Sequence, residues 1–189
     1  GIGGALELAT EEEVNIQMNT NFFGVVNMCR EVLPVMRKNR KGKIINISSI
    51  GGVMGIPYQG FYSASKFAVE GYSEALALEV HPFNIKVCVV EPGDFNTGFT
   101  DNRNISEQTR LDADYGESFR KSLEIIEKEE RNGCHPRKLA AAICKIVERT
   151  NPPFRTKVGP WIQVLFAKSK KWLPDAVMQY ALRIFYAIK

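Results

Sequence analysis

The sequence predicts an α/β protein built on a parallel sheet. Three observations carry the prediction. Short strand-like runs recur at 44–47, 85–90 and 154–158, helix-period stretches separate them, and glycine and proline cluster where the runs end. Strands that alternate with helices have to return across the sheet, which sets neighbouring strands parallel.

The elements follow in order. Thr10 with Glu13 three residues on forms a capping-box signature. Val14, Met18, Phe22, Val25, Cys29, Val32 and Leu33 then recur at helical spacing, with Pro34 placed to kink the helix near its end. A basic turn at 37–43 leads into Ile44-Ile45-Asn46-Ile47, a buried strand that ends at Ser48-Ser49. Gly51, Gly52, Gly55, Pro57 and Gly60 punctuate a loop. A second long helix starts between Tyr58 and Phe61 and runs to about Val80, with an alanine-rich middle suited to close packing. A second buried strand covers 85–90 and stops at Glu91-Pro92-Gly93. Residues 94–114 are polar and irregular, and are expected to be a mobile loop. A charged helix follows, with expected pairs Glu117–Lys121, Glu124–Lys128 and Glu127–Arg131 and a stop at Asn132-Gly133. That charge run is expected to be a solvated face rather than a binding surface. His135-Pro136 opens another helix, and the last thirty residues are aromatic and apolar.

The 189 residues suit a single domain over 1–189, with a substrate loop and helix at 94–132 and a C-terminal extension at 160–189. The composition, 44% hydrophobic and 24% charged, is that of an ordered globular chain. The net charge of +4 is too small to imply nucleic acid, and none is expected as a partner. From Arg155 onward there are seven Lys or Arg and one acid, Asp175, so peripheral contact with anionic lipid through the basic C-terminus is an open expectation beside a plain solvated face. Cys29, Cys88, Cys134 and Cys144 form no C-x-x-C pair, and His81 and His135 are far apart. No metal site is expected, and the thiols are expected to be reduced, which suits a cytoplasmic location. No apolar run is long enough to span a membrane.

Tyr62-Ser63-Ala64-Ser65-Lys66 sets a phenol and an ammonium four residues apart, on one helix face. A phenol ordinarily titrates near pH 10, and bringing it to neutrality takes about 4 kcal/mol of differential interaction, which a neighbouring ammonium helps to supply. Ser49 stands thirteen residues earlier at the mouth of a strand, where a hydroxyl can bond a substrate oxygen; Ser48 is expected to turn inward. Asn21 interrupts an apolar stripe and needs a polar partner. Pro92-Gly93 with Thr97 follows the next strand, at the sheet end where open α/β folds bind ligands.

In these residues the chain resembles the short-chain dehydrogenases/reductases. The resemblance implies a Rossmann-like doubly wound parallel sheet with a C-terminal helical extension over the substrate cleft. It implies an oxidoreductase that interconverts an alcohol and a ketone or aldehyde with NAD or NADP. Tyr62 would be the general acid/base, and Lys66 would bind the nicotinamide ribose and lower the Tyr62 pKa. Ser49 would polarise the substrate, and Asn21 would hold a proton-relaying water. Gly1, Pro92, Gly93, Phe95 and Thr97 would join Tyr62 and Lys66 in binding the cofactor. The substrate would be a small lipophilic molecule, steroid-, retinoid- or lipid-like, against Ser49, Met54, Tyr58 and Phe99, with Ile56, Trp161 and Phe166 as further candidates. A homodimer or homotetramer is also implied. The sequence departs from the family at its start: no strand and no G-x-G-x-x-G precede Gly1, so the fold is expected to be N-terminally truncated and poor at binding cofactor by itself. A non-catalytic scaffold of the same fold is the competing reading.

Overall fold

The computed structural model describes residues 1–188; Lys189 of the expected extension lies outside the described residues. The central sheet has three parallel strands in the order β2 (Gly42–Ile47), β3 (Ile85–Pro92), β5 (Arg155–Val158). Ile44 lies opposite Val87, Ile47 opposite Val90, and Pro92 opposite Val158. A second parallel pair joins β1 (Ile2–Gly3) to β4 (Asn104–Ile105).

Side chains alternate across a strand, so β3 supplies two cores. Val87 packs with Ile44, Cys29, Leu76, Val80 and Ile85 under α2 (Gly24–Lys38) and α3 (Gly60–Val80). Cys88 and Val90 face the other way, onto Ile146 of α6 (Arg137–Glu148) and onto Phe95 and Val158. Helices therefore cover both faces, and β3 is apolar nearly throughout because both sides are buried. Lys43 fastens α6 to the sheet. Its ammonium donates to the carbonyls of Ile146, Val147 and Arg149 at 3.0, 2.5 and 2.7 Å, satisfying the orphan end of that helix.

The capping box forms as expected: Glu13 N–H donates to Thr10 Oγ1 at 3.2 Å, and Thr10 N–H donates to Glu13 Oε2 at 2.8 Å. It opens α1 (Glu11–Met18). The helix then widens into a π turn at Asn19–Phe23 before α2 resumes, and Pro34 stands inside α2 without ending it. The break in the α-helical pattern therefore lies around Asn21.

Residues 94–114 are more ordered than their composition predicts. They hold β4 and a short helix α4 (Glu107–Leu111), which Ser106 caps by accepting from Thr109 N–H. The charged helix is α5 (Gly116–Arg131). Lys121 pairs with Glu117 at 2.5 Å, but Glu124 pairs with Arg120 at 2.9 Å and Arg131 with Asp101 at 2.8 Å, in place of two expected pairs. Gly133 ends the helix for a different reason than a left-handed cap. No glycine has positive φ, whereas a Cβ at Gly133 would fall 2.6 Å from the Asp94 carbonyl group. α7 (Trp161–Ser169) and α8 (Asp175–Phe185) complete the chain, and no helix among the described residues is long and apolar enough to cross a membrane.

Candidate active site

The carboxyl ends of β2 and β3 open into a cavity of about 300 Å³. Asn21, Ser49, Tyr62 and Lys66 all line it, with Pro92, Gly93, Phe95, Thr97 and Phe99. Ser49 leaves β2 in extended conformation. Its hydroxyl accepts from Gly51 N–H at 3.0 Å and reaches the Pro92 carbonyl at 3.5 Å, tying the two strand ends together. Ser48 is 2% exposed and turned inward.

Tyr62 and Lys66 lie one turn apart on α3, with the ammonium 5.8 Å from the phenol ring centre. Lys66 Nζ donates to the Ile47 carbonyl at 3.0 Å. Asn21 reaches the same helix from the π turn. Its Nδ2 donates to Ser65 Oγ at 3.1 Å, and Ser65 donates to the Tyr62 carbonyl at 2.6 Å. A π turn rotates the side chains after it relative to a regular helix, and such turns gather at functional sites. After β3, the Phe95 N–H has no hydrogen-bond partner among the described residues, while Thr97 Oγ1 accepts from Phe99 N–H at 3.2 Å. The Phe99 ring lies 5.8 Å from the Tyr62 ring, and Gly1 rests against both.

Several expectations need correction. Lys66 does not lower the Tyr62 pKa in this structure. Burial pushes the phenol above its ordinary value, the Ser49 hydroxyl beside it pulls back, and the Glu130 and Asp94 charges add to the rise. The Lys66 ammonium is turned to the Ile47 carbonyl, and its own pKa falls through burial. Met54 and Tyr58 do not reach the cavity: Met54 is 5% exposed in the core, and the Tyr58 ring packs 5.2 Å from Phe119 on a backbone with φ of 58°. Trp161 and Phe166 do not line it either, and Trp161 points outward.

The expected solvated face of α5 supplies part of the wall. Glu129 and Glu130 line the cavity with Asp94, Phe185 and Tyr186. Arg103 pairs with Glu130, which also accepts from Thr100 Oγ1 at 2.7 Å. The Asp94 carboxylate accepts from Gln163 Nε2 at 2.5 Å, and burial with help from Glu130 and Glu129 pushes it up to about 6. Burial, then Asp94 and the two glutamates, push the Tyr186 phenol up as well. Neither Asp94 nor Glu129 has a cation partner among the described residues. One signal in the sequence pointed to Glu130: it falls on the stripe of Phe119, Ser122 and Ile126, the buried side of α5.

A parallel sheet wound on both faces, with serine, tyrosine and lysine gathered at its carboxyl edge, defines an α/β oxidoreductase. The family model described as short chain dehydrogenase matches residues 1–108, and the chain belongs to that family of enzymes. It is 85% identical over all 189 residues to a protein of Bacteroides thetaiotaomicron named 3-ketodihydrosphingosine reductase, covering 70% of that relative. It superposes on a short-chain dehydrogenase from Streptomyces avermitilis with a TM-score of 0.78 and 32% identity, covering 95% of this chain and 63% of the other. A serine dehydrogenase in its closed form with NADP+ is 25% identical with a TM-score of 0.69, over 85% of this chain and 61% of that one. The chain thus spans between three fifths and seven tenths of these relatives.

Proposed function

We propose that the protein reduces the ketone of a long-chain amino ketone of the 3-keto sphingoid type, using NADH or NADPH. The observation that carries this reading is the 85% identity, over the whole chain, to the Bacteroides 3-ketodihydrosphingosine reductase. The cavity supports it by its chemistry. Such a substrate carries an ammonium, a hydroxyl, a ketone and an alkyl chain. Asp94 and Glu129 offer carboxylates without a cation partner among the described residues, and Phe99, Ile126, Leu139 and Phe185 offer apolar wall on the same cavity.

A nicotinamide fits this donor set. Lys66 would hold the ribose hydroxyls, the free Phe95 N–H with Thr97 would hold the carboxamide, and Gly93 and Pro92 would let the ring approach the strand end. Gly1, against Tyr62 and Phe99, would sit at the same edge. The bound cofactor supplies the hydride that adds to the carbonyl carbon. Ser49 would hydrogen-bond the substrate oxygen, and Tyr62 would give its hydroxyl proton to that oxygen as the alcohol forms. A cavity that disfavours phenolate keeps Tyr62 protonated, which suits the donor role. Asn21 and Lys66 would return a proton to Tyr62 through water. The exposed apolar faces of α2 and α3, with Met28, Val35 and Leu78 outward, support assembly as a homodimer or homotetramer.

The test is nicotinamide oxidation by the purified protein with its full-length chain, with NADH and NADPH compared, on 3-ketodihydrosphingosine and on its N-acetyl derivative. Tyr62→Phe should lose about a thousandfold in kcat. Asp94→Asn with Glu129→Gln should raise KM for the free amine about tenfold and leave the N-acetyl substrate unchanged. No turnover of either ketone with either cofactor would refute the reading.

A further inference from the structure

The geometry points to a membrane-docking ledge: α7, α8 and the turn between them lie on an anionic lipid bilayer, with α8 at once the ledge and a wall of the catalytic cavity. Of the twenty large apolar side chains left exposed among the described residues, nine fall between Trp161 and Phe185. Both tryptophans of the chain are among them, Trp161 73% and Trp172 87% exposed, with Tyr180 at 65%. Tryptophan and tyrosine favour the headgroup layer, where an apolar ring meets lipid and a polar edge meets water. The helices are too short to span. α8 has 11 residues, about 16 Å at the usual rise per residue, so it can lie along a surface but not cross one.

Charge selects the occupant. Lys168, Lys171 and Arg183 are exposed around the apolar side chains, and none of them has an ion-pair partner among the described residues. Asp175 is the single acid from residue 159 to 188. A face that joins exposed aromatics to unpaired lysines is matched by anionic headgroups over acyl chains, whereas lysine is depleted where proteins meet proteins.

The placement gives the ledge a purpose. Met178 turns α8 inward, and the end of the helix brings Phe185 and Tyr186 to the cavity that holds Tyr62. An acyl-bearing substrate would pass from the bilayer along α8 to the site with its chain never fully in water. That delivery step rests on the proposed substrate class; the docking itself does not.

Co-sedimentation of the purified protein tests it, with vesicles of phosphatidylcholine alone and of phosphatidylcholine mixed with phosphatidylglycerol, at low and high salt. The expected result is binding to the mixed vesicles, weakened by salt, with a blue shift of tryptophan emission. Trp172→Asp, and separately Lys168→Glu with Lys171→Glu, should each weaken binding roughly tenfold or more. Circular dichroism and turnover of a short, water-soluble ketone should stay at wild-type levels in both. Three results would overturn the proposal: no binding to the mixed vesicles at low salt, equal binding by the variants, or a wild-type oligomer that Trp172→Asp splits while vesicle binding never appears.

Discussion

Asp94 stores an energetic cost at the edge of the active site. Its carboxyl titrates near an ordinary 3.8 when the chain is unfolded and at about 6 when folded, chiefly because it is buried. Between those values the folded chain holds more proton than the unfolded one, so this residue's contribution to stability declines as pH rises from about 4 to about 6 and stays low above. Asp94→Asn removes that dependence. Urea denaturation should find the variant gaining on wild type by up to about 3 kcal/mol between pH 4 and pH 8. An equal gap at both pH values would show that the carboxyl carries no such penalty. Asp94 falls in the stretch expected to line the substrate cleft, but its burial was not legible, since it follows Pro92-Gly93 like any loop acid. The tyrosine, lysine, serine and asparagine were legible, because i,i+4 spacing and strand-end position constrain where such side chains can stand. What the spacing could not supply was the direction of the Lys66 ammonium, which depends on the Ile47 carbonyl at the far end of another element.

The elements best forecast were those with a strong period and clear stops, β2, β3 and α3. The π turn was not, because Asn19–Phe23 has the composition of continuous helix and only the tertiary bond from Asn21 to Ser65 marks the extra residue. The short β4 and α4 were missed because two paired residues and one capped turn leave almost no periodic trace. Gly133 belongs to this scale too, since it lets the end of α5 touch the turn after β3. Gly133→Ala would drive a methyl group into the Asp94 backbone. The expected result is about 1–3 kcal/mol of destabilisation, measured by chemical denaturation, together with a fall in turnover as the Phe95–Thr97 segment moves. Unchanged stability and turnover would mean that the two segments can separate freely.

Across the whole molecule, one charged cluster holds the edge strand to the sheet and to α3. Glu91, 0% exposed at the end of β3, pairs with Lys157 and lies 3.4 Å from Arg155, both from β5. Arg155 also reaches Glu70 at 3.0 Å and Glu74 at 2.5 Å on α3. Removing one partner leaves a buried charge uncompensated, so Lys157→Met should cost about 3 kcal/mol in thermal or urea unfolding. Glu91→Met added to Lys157→Met should restore most of that loss, because two apolar groups replace the pair. A double variant no more stable than the single one would mean that the rest of the cluster, and not the pair, carries the effect.

The cavity draws its proton-handling groups from residues 21–66 and its acidic and aromatic wall from 94–99 and 126–186. The two sets meet in space but come from separate stretches of chain. The stretches are nonetheless fastened together, by Gly133 against the Asp94 backbone and by Lys157 on Glu91, so a change in one must respect its contacts with the other. A lineage built this way can try new substrates one wall side chain at a time, inheriting the reaction as long as those contacts are kept.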